Sequence, residues 1–272
     1  MKIWAAVALS LICYKNINEQ EANKTAHKQR KANTVDTIPA NAAKLLKSYP
    51  GFITGFSKNH LIFKDHSEQI WDDGIKNKSL VDLLEKPDLK DMFLQQYVKG
   101  PLKSPPAKNY DPGRIRNEKF FMKIYGASQK EVEKSLTTIL WCPKLVGQKI
   151  TVTKINGVDK KLIQISKELD EHPEWKNYLL NIGGTFAWRK ISGTGRQSMH
   201  SFGMTIDINT KYSDYWQWTC HCTDENAETK YKNKIPPGIV AIFEKNGFIW
   251  GGKWYHFDTM HFEYRPELLV GS

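Results

Sequence analysis

Apolar residues recur at helical spacing through much of the first half of the chain. This spacing predicts helices over residues 80–84, 89–98, 129–140 and 161–169. Residues 151–158 alternate as a strand does and run into an Asn-Gly turn at 156–157. Residues 99–113 hold four prolines and two glycines, which predicts a loop or linker. We therefore expect residues 38–130 to form a mostly helical N-terminal extension.

The pattern changes after about residue 178, where short apolar or alternating runs are separated by glycine. These runs predict antiparallel strands at residues 185–188, 204–208, 248–250, 254–257 and 261–264. A helix is expected between them over residues 237–246, because Gly247 follows and glycine is common just past a helix end. The predicted fold class is α+β, with a small antiparallel sheet flanked by helices in a domain over residues 131–272.

The first residues have the pattern of a targeting segment. Met1-Lys2 precedes an uncharged apolar run over residues 3–13, which is too short to span a bilayer, since spanning takes about 20 residues. We expect a secretory signal peptide over residues 1–18 and a flexible, polar lead-in over 19–37. The protein is then exported, to the periplasm or cell envelope. Cys13 is a candidate lipid anchor, although Ile12 is bulky where lipoprotein signals have a small residue.

Composition excludes several classes of protein and leaves the charge to be explained. The 272 residues are 40% hydrophobic and 25% charged, which is typical of a globular protein and excludes a disordered tail, a fibre and a multi-span membrane protein. The net charge of +11 predicts an anionic partner: nucleic acid, a membrane surface or a cell-wall polymer. Because the folded part has no long Lys/Arg cluster and no nucleic-acid motif, nucleic acid is not expected.

Three cysteines lie beyond the signal segment. If the protein is exported, one disulfide among Cys142, Cys220 and Cys222 is expected, and the sequence leaves the pairing open. Cys220 and Cys222 stand one residue apart with no second cysteine pair nearby, so they lack the spacing of a structural zinc site.

Histidines and aspartates cluster in two segments of the C-terminal half. The first is SMHSFGMTID, residues 198–207, and the second is WYHFDTMHFE, residues 254–263. Catalytic zinc takes three nitrogen or oxygen ligands from the protein, and His200, Asp207 and His261 supply such a set. Each residue alone also has an ordinary structural explanation, so the prediction depends on the joint pattern.

Two further residues have the chemistry that a metal-dependent hydrolase needs. A water activated by zinc requires a base that takes its proton and returns it to the leaving group. Asp258 lies three residues before His261, separated from it by a turn, and is the candidate base. Arg189 is the candidate to stabilise the developing oxyanion or to grip a substrate carboxylate in bidentate fashion.

The two segments resemble the motifs of a known family. The string SMHSFGMTIDIN resembles the S-x-H-x-x-G-x-A-x-D signature of the M15 zinc peptidases, the group of D-alanyl-D-alanine carboxypeptidases and L-alanyl-D-glutamate endopeptidases. GGKWYHFDTMHFEYRPELL is similar to the closing motif of that family, and the resemblance spans residues 184–269. Thr205 departs from the family's usual alanine. Asp258 stands where the D-Ala-D-Ala dipeptidase branch has glutamate. An aspartate at this position is more similar to the carboxypeptidase and endolysin branches.

The resemblance implies a fold, a cofactor and an activity. The fold is that of the hedgehog domain and the D-Ala-D-Ala peptidases, with one Zn²⁺ per chain held by His200, Asp207 and His261 and with Asp258 as base. Arg189 lies where these enzymes carry an arginine ahead of the motif, and Ser198 matches the motif serine, a substrate hydrogen-bonder. His256 has no role in the motif and is a candidate substrate contact.

We therefore expect a zinc peptidase that cuts peptidoglycan stem peptides, foremost as a D-alanyl-D-alanine carboxypeptidase. The anionic wall would also account for the basic charge. The alternatives are an L-alanyl-D-glutamate endopeptidase and a non-catalytic, zinc-bearing binding module.

Overall fold

A computed structural model of the protein describes residues 37–271, and the described residues from Ile38 onward form one compact unit. The signal peptide, nearly all of the lead-in and the candidate lipid anchor Cys13 lie outside the described residues. Among the residues that are described, no helix is long and apolar enough to cross a membrane.

The N-terminal part mixes helices with a small sheet. Its elements are α1 (Ala40–Ser48), β1 (Ile53–Ser57), β2 (His60–Phe63), β3 (Glu68–Ile70), α2 (Leu80–Glu85) and α3 (Glu118–Tyr125). The three strands pair antiparallel in the order β1-β2-β3. Lys58 and Asn59 both adopt positive φ, which closes the tight hairpin between β1 and β2. The prediction of a mostly helical extension was therefore wrong for residues 53–70.

The helix predicted over residues 89–98 is reduced to one 3₁₀ turn, Asp91–Phe93. Asp88 accepts a hydrogen bond from the backbone N–H of Asp91 at 2.8 Å, and Asp91 accepts one from that of Asp88 at 2.9 Å. These reciprocal bonds have the pattern of a capping box, which starts the turn, and the backbone beyond Leu94 does not continue it as a helix.

The middle of the chain forms α4 (Gln129–Glu133), β4 (Leu136–Trp141), β5 (Gln148–Thr153) and α5 (Val158–Leu169). The single helix predicted over residues 129–140 was wrong beyond residue 133, because residues 136–141 pair antiparallel with β5. The segment is rich in β-branched and aromatic residues, which favour strands. The Asn-Gly turn is confirmed, since Asn156 and Gly157 both have positive φ just before α5.

The C-terminal part is built on a four-stranded antiparallel sheet. Its elements are α6 (Lys176–Leu179), β6 (Ile182–Gly184), β7 (Thr205–Asn209), α7 (Trp216–Cys220), α8 (Pro237–Lys245), β8 (Phe248–Trp250) and β9 (His261–Tyr264). The strand order is β6-β7-β9-β8. Together with the helices, these small antiparallel sheets fit the predicted α+β class.

Two predicted strands are absent from this sheet. Residues 185–188 run beside the 3₁₀ turn Met199–Phe202, where the N–H of Ala187 donates to the carbonyl of His200 at 3.2 Å. Residues 254–257 pair with a distant loop, where the N–H of Tyr255 donates to the carbonyl of Tyr110 at 2.8 Å. Both runs satisfy their backbone groups outside the sheet.

The N-terminal and C-terminal parts share one core. Buried residues from both sides of residue 130 belong to a single hydrophobic cluster. The Tyr49 hydroxyl donates to Glu267 at 2.8 Å, and the Tyr97 hydroxyl donates to Glu244 at 2.7 Å. The predicted extension thus contributes to the interior of the same unit as the sheet.

The structure pairs Cys220 with Cys222 in a disulfide at the end of α7. Cys142 is buried and unpaired. Among the described cysteines, the disulfide that the sequence left open is therefore Cys220–Cys222.

Candidate metal centre and catalytic cleft

The three predicted metal ligands meet at the centre of the C-terminal sheet. Asp207 in β7 stands directly opposite His261 in β9 in the antiparallel register. His200 reaches the same place from the 3₁₀ turn that precedes β7. One ligand atom from each of the three residues lies within 4.8 Å of the other two.

His200 is held by the backbone around it. Its Nδ1 lies 2.9 Å from the carbonyl oxygen of Thr185, which makes Nδ1 the donor and leaves Nε2 as the free acceptor. Nε2 lies 3.1 Å from Asp207 Oδ2. Gly203 ends the turn with φ +65°, and a Cβ there would lie 2.9 Å from Leu136 Cδ2. The chain therefore folds back through Gly203, which brings His200 and Asp207 together.

His261 faces Asp207 with Nδ1, whereas His200 faces it with Nε2. Its Nδ1 lies 2.9 Å from Asp207 Oδ1, and its Nε2 lies 3.3 Å from Glu263 Oε2. Glu263 is fully buried and also accepts hydrogen bonds from Arg116 and Arg265. Although burial raises the pKa of Glu263, Arg116 and the bond from His261 outweigh it and hold that pKa well below its usual range. An ionised carboxylate behind a ligating histidine fixes its orientation and its tautomer.

The donor set suits zinc. Burial raises the pKa of Asp207, but the neighbouring His200 and His261 more than offset this and lower it, so the carboxylate is ionised. Two imidazole nitrogens and one carboxylate oxygen are the ligands of many catalytic zinc sites. With Nδ1 of His200 and Nε2 of His261 bonded elsewhere, the remaining nitrogens face the same carboxylate.

Asp258 stands beside these ligands with an incompletely satisfied carboxylate. Its Oδ1 is buried and has no hydrogen-bond partner. Burial raises the pKa of Asp258 to about 6, and the charge of Asp207 adds to the effect. The backbone holds the residue in place, because its N–H donates to Gly251 and its carbonyl accepts from His261. A carboxyl group with a raised pKa in a cleft is suited to exchanging a proton.

The centre opens into a cleft of about 320 Å³. Ser198 and Arg189 both line it, together with Asp258 and the three ligands. Ser198 is buried, and its N–H donates to the carbonyl of Arg189 at 3.0 Å. Arg189 is exposed, so its guanidinium is accessible to a bound substrate.

His256 also borders the cleft, but both of its ring nitrogens have protein partners. Nδ1 lies 2.6 Å from Asp111 Oδ2, and Nε2 lies 2.9 Å from the carbonyl oxygen of Glu225. The ring is buried among these groups. The geometry therefore makes His256 an anchor for the loops that carry Asp111 and Glu225.

Sequence reasoning missed the contribution of residues 110–116. The Trp254 indole donates to the carbonyl of Pro112 at 2.8 Å, and Arg116 donates to Glu263 at 2.6 Å. Gly113 has φ +97°, and a Cβ there would collide with Ile249 at 2.4 Å. Of the residues in these contacts, Glu263 could have been recognised from the sequence as a partner of His261. It lies two residues from His261 and therefore shares a face of the same strand.

One family comparison bears on this site. Residues 192–264 match the family model described as D-alanyl-D-alanine carboxypeptidase, an M15 peptidase model. The matched segment contains the three candidate ligands and Asp258, whereas Arg189 lies just ahead of it. The resemblance to M15 peptidases is confirmed over this segment, and at the family level the match supports a peptidase acting on peptidoglycan. Comparison with curated proteins and with solved structures found no match.

Proposed function

We propose that this chain is a zinc-dependent D-alanyl-D-alanine carboxypeptidase that acts on the stem peptides of peptidoglycan. The main support is that Oδ1 of Asp258 is buried without a hydrogen-bond partner, while the residue lines the same cleft as the three candidate metal ligands. An unsatisfied buried carboxylate is costly to keep. A binding module without catalysis would have no use for it, which disfavours that alternative.

His200, Asp207 and His261 would hold the zinc ion. When bound, zinc would act as a Lewis acid, which polarises a carbonyl and lowers the pKa of a water molecule. Glu263 accepts from Nε2 of His261, and the Thr185 carbonyl accepts from Nδ1 of His200. These two bonds orient the imidazoles so that their other nitrogens can bind the ion.

Asp258 would move the proton. In its ionised form Oδ1 accepts a proton from the attacking water, and the same group then gives it to the nitrogen of the departing alanine. Its raised pKa helps the second step, because a weaker acid holds the proton until the amine can take it. The backbone bonds to Gly251 and His261 keep the main chain of Asp258 in place at the cleft.

Arg189 and Ser198 would bind the substrate. The exposed guanidinium of Arg189, which donates only a long bond of 3.5 Å to the carbonyl of Lys190, would pair in bidentate fashion with the terminal carboxylate of the peptide. Ser198 lies on the cleft wall beside His200 and would donate or accept one hydrogen bond. We also propose export to the cell envelope, which is supported by the apolar segment at residues 3–13.

Product analysis tests the choice of bond. Muropeptides with pentapeptide stems are incubated with the zinc-loaded protein and examined by mass spectrometry. Loss of one terminal alanine is expected. Release of the stem after its first L-Ala would replace the carboxypeptidase proposal by the endopeptidase. Unchanged muropeptides that bind the protein would instead favour the binding module.

A further inference from the structure

The walls of the cleft carry more positive charge than the reaction described above uses. Four arginines line it, at positions 114, 116, 189 and 196. Among the described residues that line the cleft, the acidic side chains are Asp207 and Asp258, and both are assigned to the metal centre. A guanidinium group in the cleft that lacks good partners within the protein is suited to bind an anionic group of the substrate.

Two of the four arginines are already engaged. Arg114 forms a bidentate pair with Glu225, at 2.9 and 2.8 Å, and also bonds Asp111 at 3.0 Å. Arg116 bonds Glu263 through Nη2 at 2.6 Å and lies over the Trp254 ring at 5.4 Å. These two guanidiniums serve the architecture of the site.

Arg196 is different, because its backbone is fixed while its guanidinium is poorly satisfied. The carbonyl of Arg196 accepts from the N–H of Ile191 at 2.9 Å, and Lys190 and Gln197 form a β-bridge that closes the turn. The side chain is only 14% exposed, yet its buried Nε has no hydrogen-bond partner. Its Nε approaches Glu85 to 3.1 Å without hydrogen-bond geometry.

The other potential partner of Arg196 is occupied. Its Nη2 lies 3.6 Å from Glu225 Oε1, but both oxygens of Glu225 are bonded by Arg114. Burial and the charge of Arg114 lower the pKa of Arg196, because both disfavour its charged form. A buried guanidinium without good partners costs free energy, which an anionic ligand would recover.

We propose that Arg196 binds a second carboxylate of the substrate, distinct from the terminal carboxylate assigned to Arg189. This inference rests on the proposed function and adds a specificity determinant to it. The substrate class is an acidic peptide with an internal free carboxylate. In a stem peptide, the α-carboxylate of the γ-linked D-glutamate is such a group, and its amidated form, D-isoglutamine, lacks the charge.

A matched pair of peptides tests the inference. The zinc-loaded protein is given L-Ala-γ-D-Glu-L-Lys-D-Ala-D-Ala and the same peptide with D-isoglutamine, and kcat/KM is measured for each. We expect wild type to prefer the acidic peptide by about ten- to a hundredfold, the value of one hydrogen-bonded charge contact. Arg196→Gln should abolish this preference by slowing the acidic peptide, with the amidated one changed by less than about twofold.

Lys190→Gln is the matched control, because Lys190 lies in the same turn, is exposed, and does not line the cleft. It should keep the wild-type preference, and Arg196→Lys should restore part of it. Equal turnover of the two peptides by wild type would overturn the inference, even if Arg196→Gln could not be folded. Retention of the preference in a folded Arg196→Gln variant would overturn it as well.

Binding separates failure of the inference from failure of the proposed function. Calorimetry of both peptides with zinc-loaded Asp258→Asn protein gives the same comparison without turnover. If wild type hydrolyses neither peptide, the proposed function fails. The Arg196 site then stands only if the acidic peptide still binds at least about tenfold more tightly in an Arg196-dependent way, and it falls if both peptides bind alike.

Discussion

Two carboxylates near His261 have opposite surroundings. Glu263 is surrounded by Arg116, Arg265 and His261 and stays ionised. Asp258 has a buried oxygen without a partner, and its pKa is raised to about 6. Environments that push two pKa values apart give the groups separate roles. Glu263 is suited to orient a ligand and Asp258 to exchange a proton.

This division predicts the behaviour of an Asp258→Asn variant. Asparagine has nearly the same shape, so the metal ligands should keep their positions and bind about one zinc per chain. Hydrolysis should fall by about 100- to 10,000-fold, the usual contribution of a general base. The measurements are metal analysis and the rate of release of alanine from a pentapeptide.

Asp65→Asn provides the control for this change. Asp65 is exposed and lies between β2 and β3, outside the residues that line the cleft. Its substitution should leave the rate within about twofold. An Asp258→Asn variant that retains full activity would remove Asp258 from the mechanism.

At the scale of secondary structure, the register of β7 against β9 places Asp207 opposite His261. Both strands were predictable, because their motifs are short and their signals are local. The helix predicted over residues 129–140 failed where pairing of β4 with β5 overrode the local pattern. The strand predicted over residues 254–257 did not form, because the backbone partners of this segment lie near residue 110.

The turn before β7 makes a prediction of its own. In Gly203→Ala the new Cβ would meet Leu136 Cδ2 at 2.9 Å and the backbone nitrogen of Thr153 at 3.1 Å, at a φ of +65°. The free energy of unfolding should fall by about 1–2 kcal/mol from the left-handed backbone alone, and further from the contact. Denaturant unfolding measures the loss.

Gly51→Ala is the matched control, because a Cβ at Gly51 meets nothing within 4 Å. Its stability should stay within about 0.5 kcal/mol of wild type, as is usual for surface positions. Equal stability of Gly203→Ala and wild type would contradict the close packing described around this turn.

At the scale of the whole molecule, the segments on the two sides of residue 130 depend on each other. Arg116 and Glu263 are 147 residues apart in sequence, and so are Tyr97 and Glu244. Partners so distant leave no local pattern, so the sequence revealed neither the support behind His261 nor the surroundings of His256. The motifs identify the candidate ligands, whereas only the fold shows which groups hold them in place.

This dependence predicts the result of a truncation. Residues 131–272 alone should show no cooperative thermal unfolding and should bind zinc poorly, because the fragment loses Arg116 and Tyr49 and leaves Glu263 and Glu267 short of buried partners. Breaking one buried ion pair costs about 3–5 kcal/mol, a large part of a typical domain's stability. Residues 38–272 should unfold in one transition. A stable and active 131–272 fragment would show that the N-terminal part is dispensable.

The most direct test of the whole account is a zinc titration of activity. The protein is stripped with a chelator, and the release of alanine from a pentapeptide is followed as zinc is added back. We expect no hydrolysis in the stripped protein and a linear return of activity that ends at about one zinc per chain. Hydrolysis that persists after complete removal of the metal would contradict it.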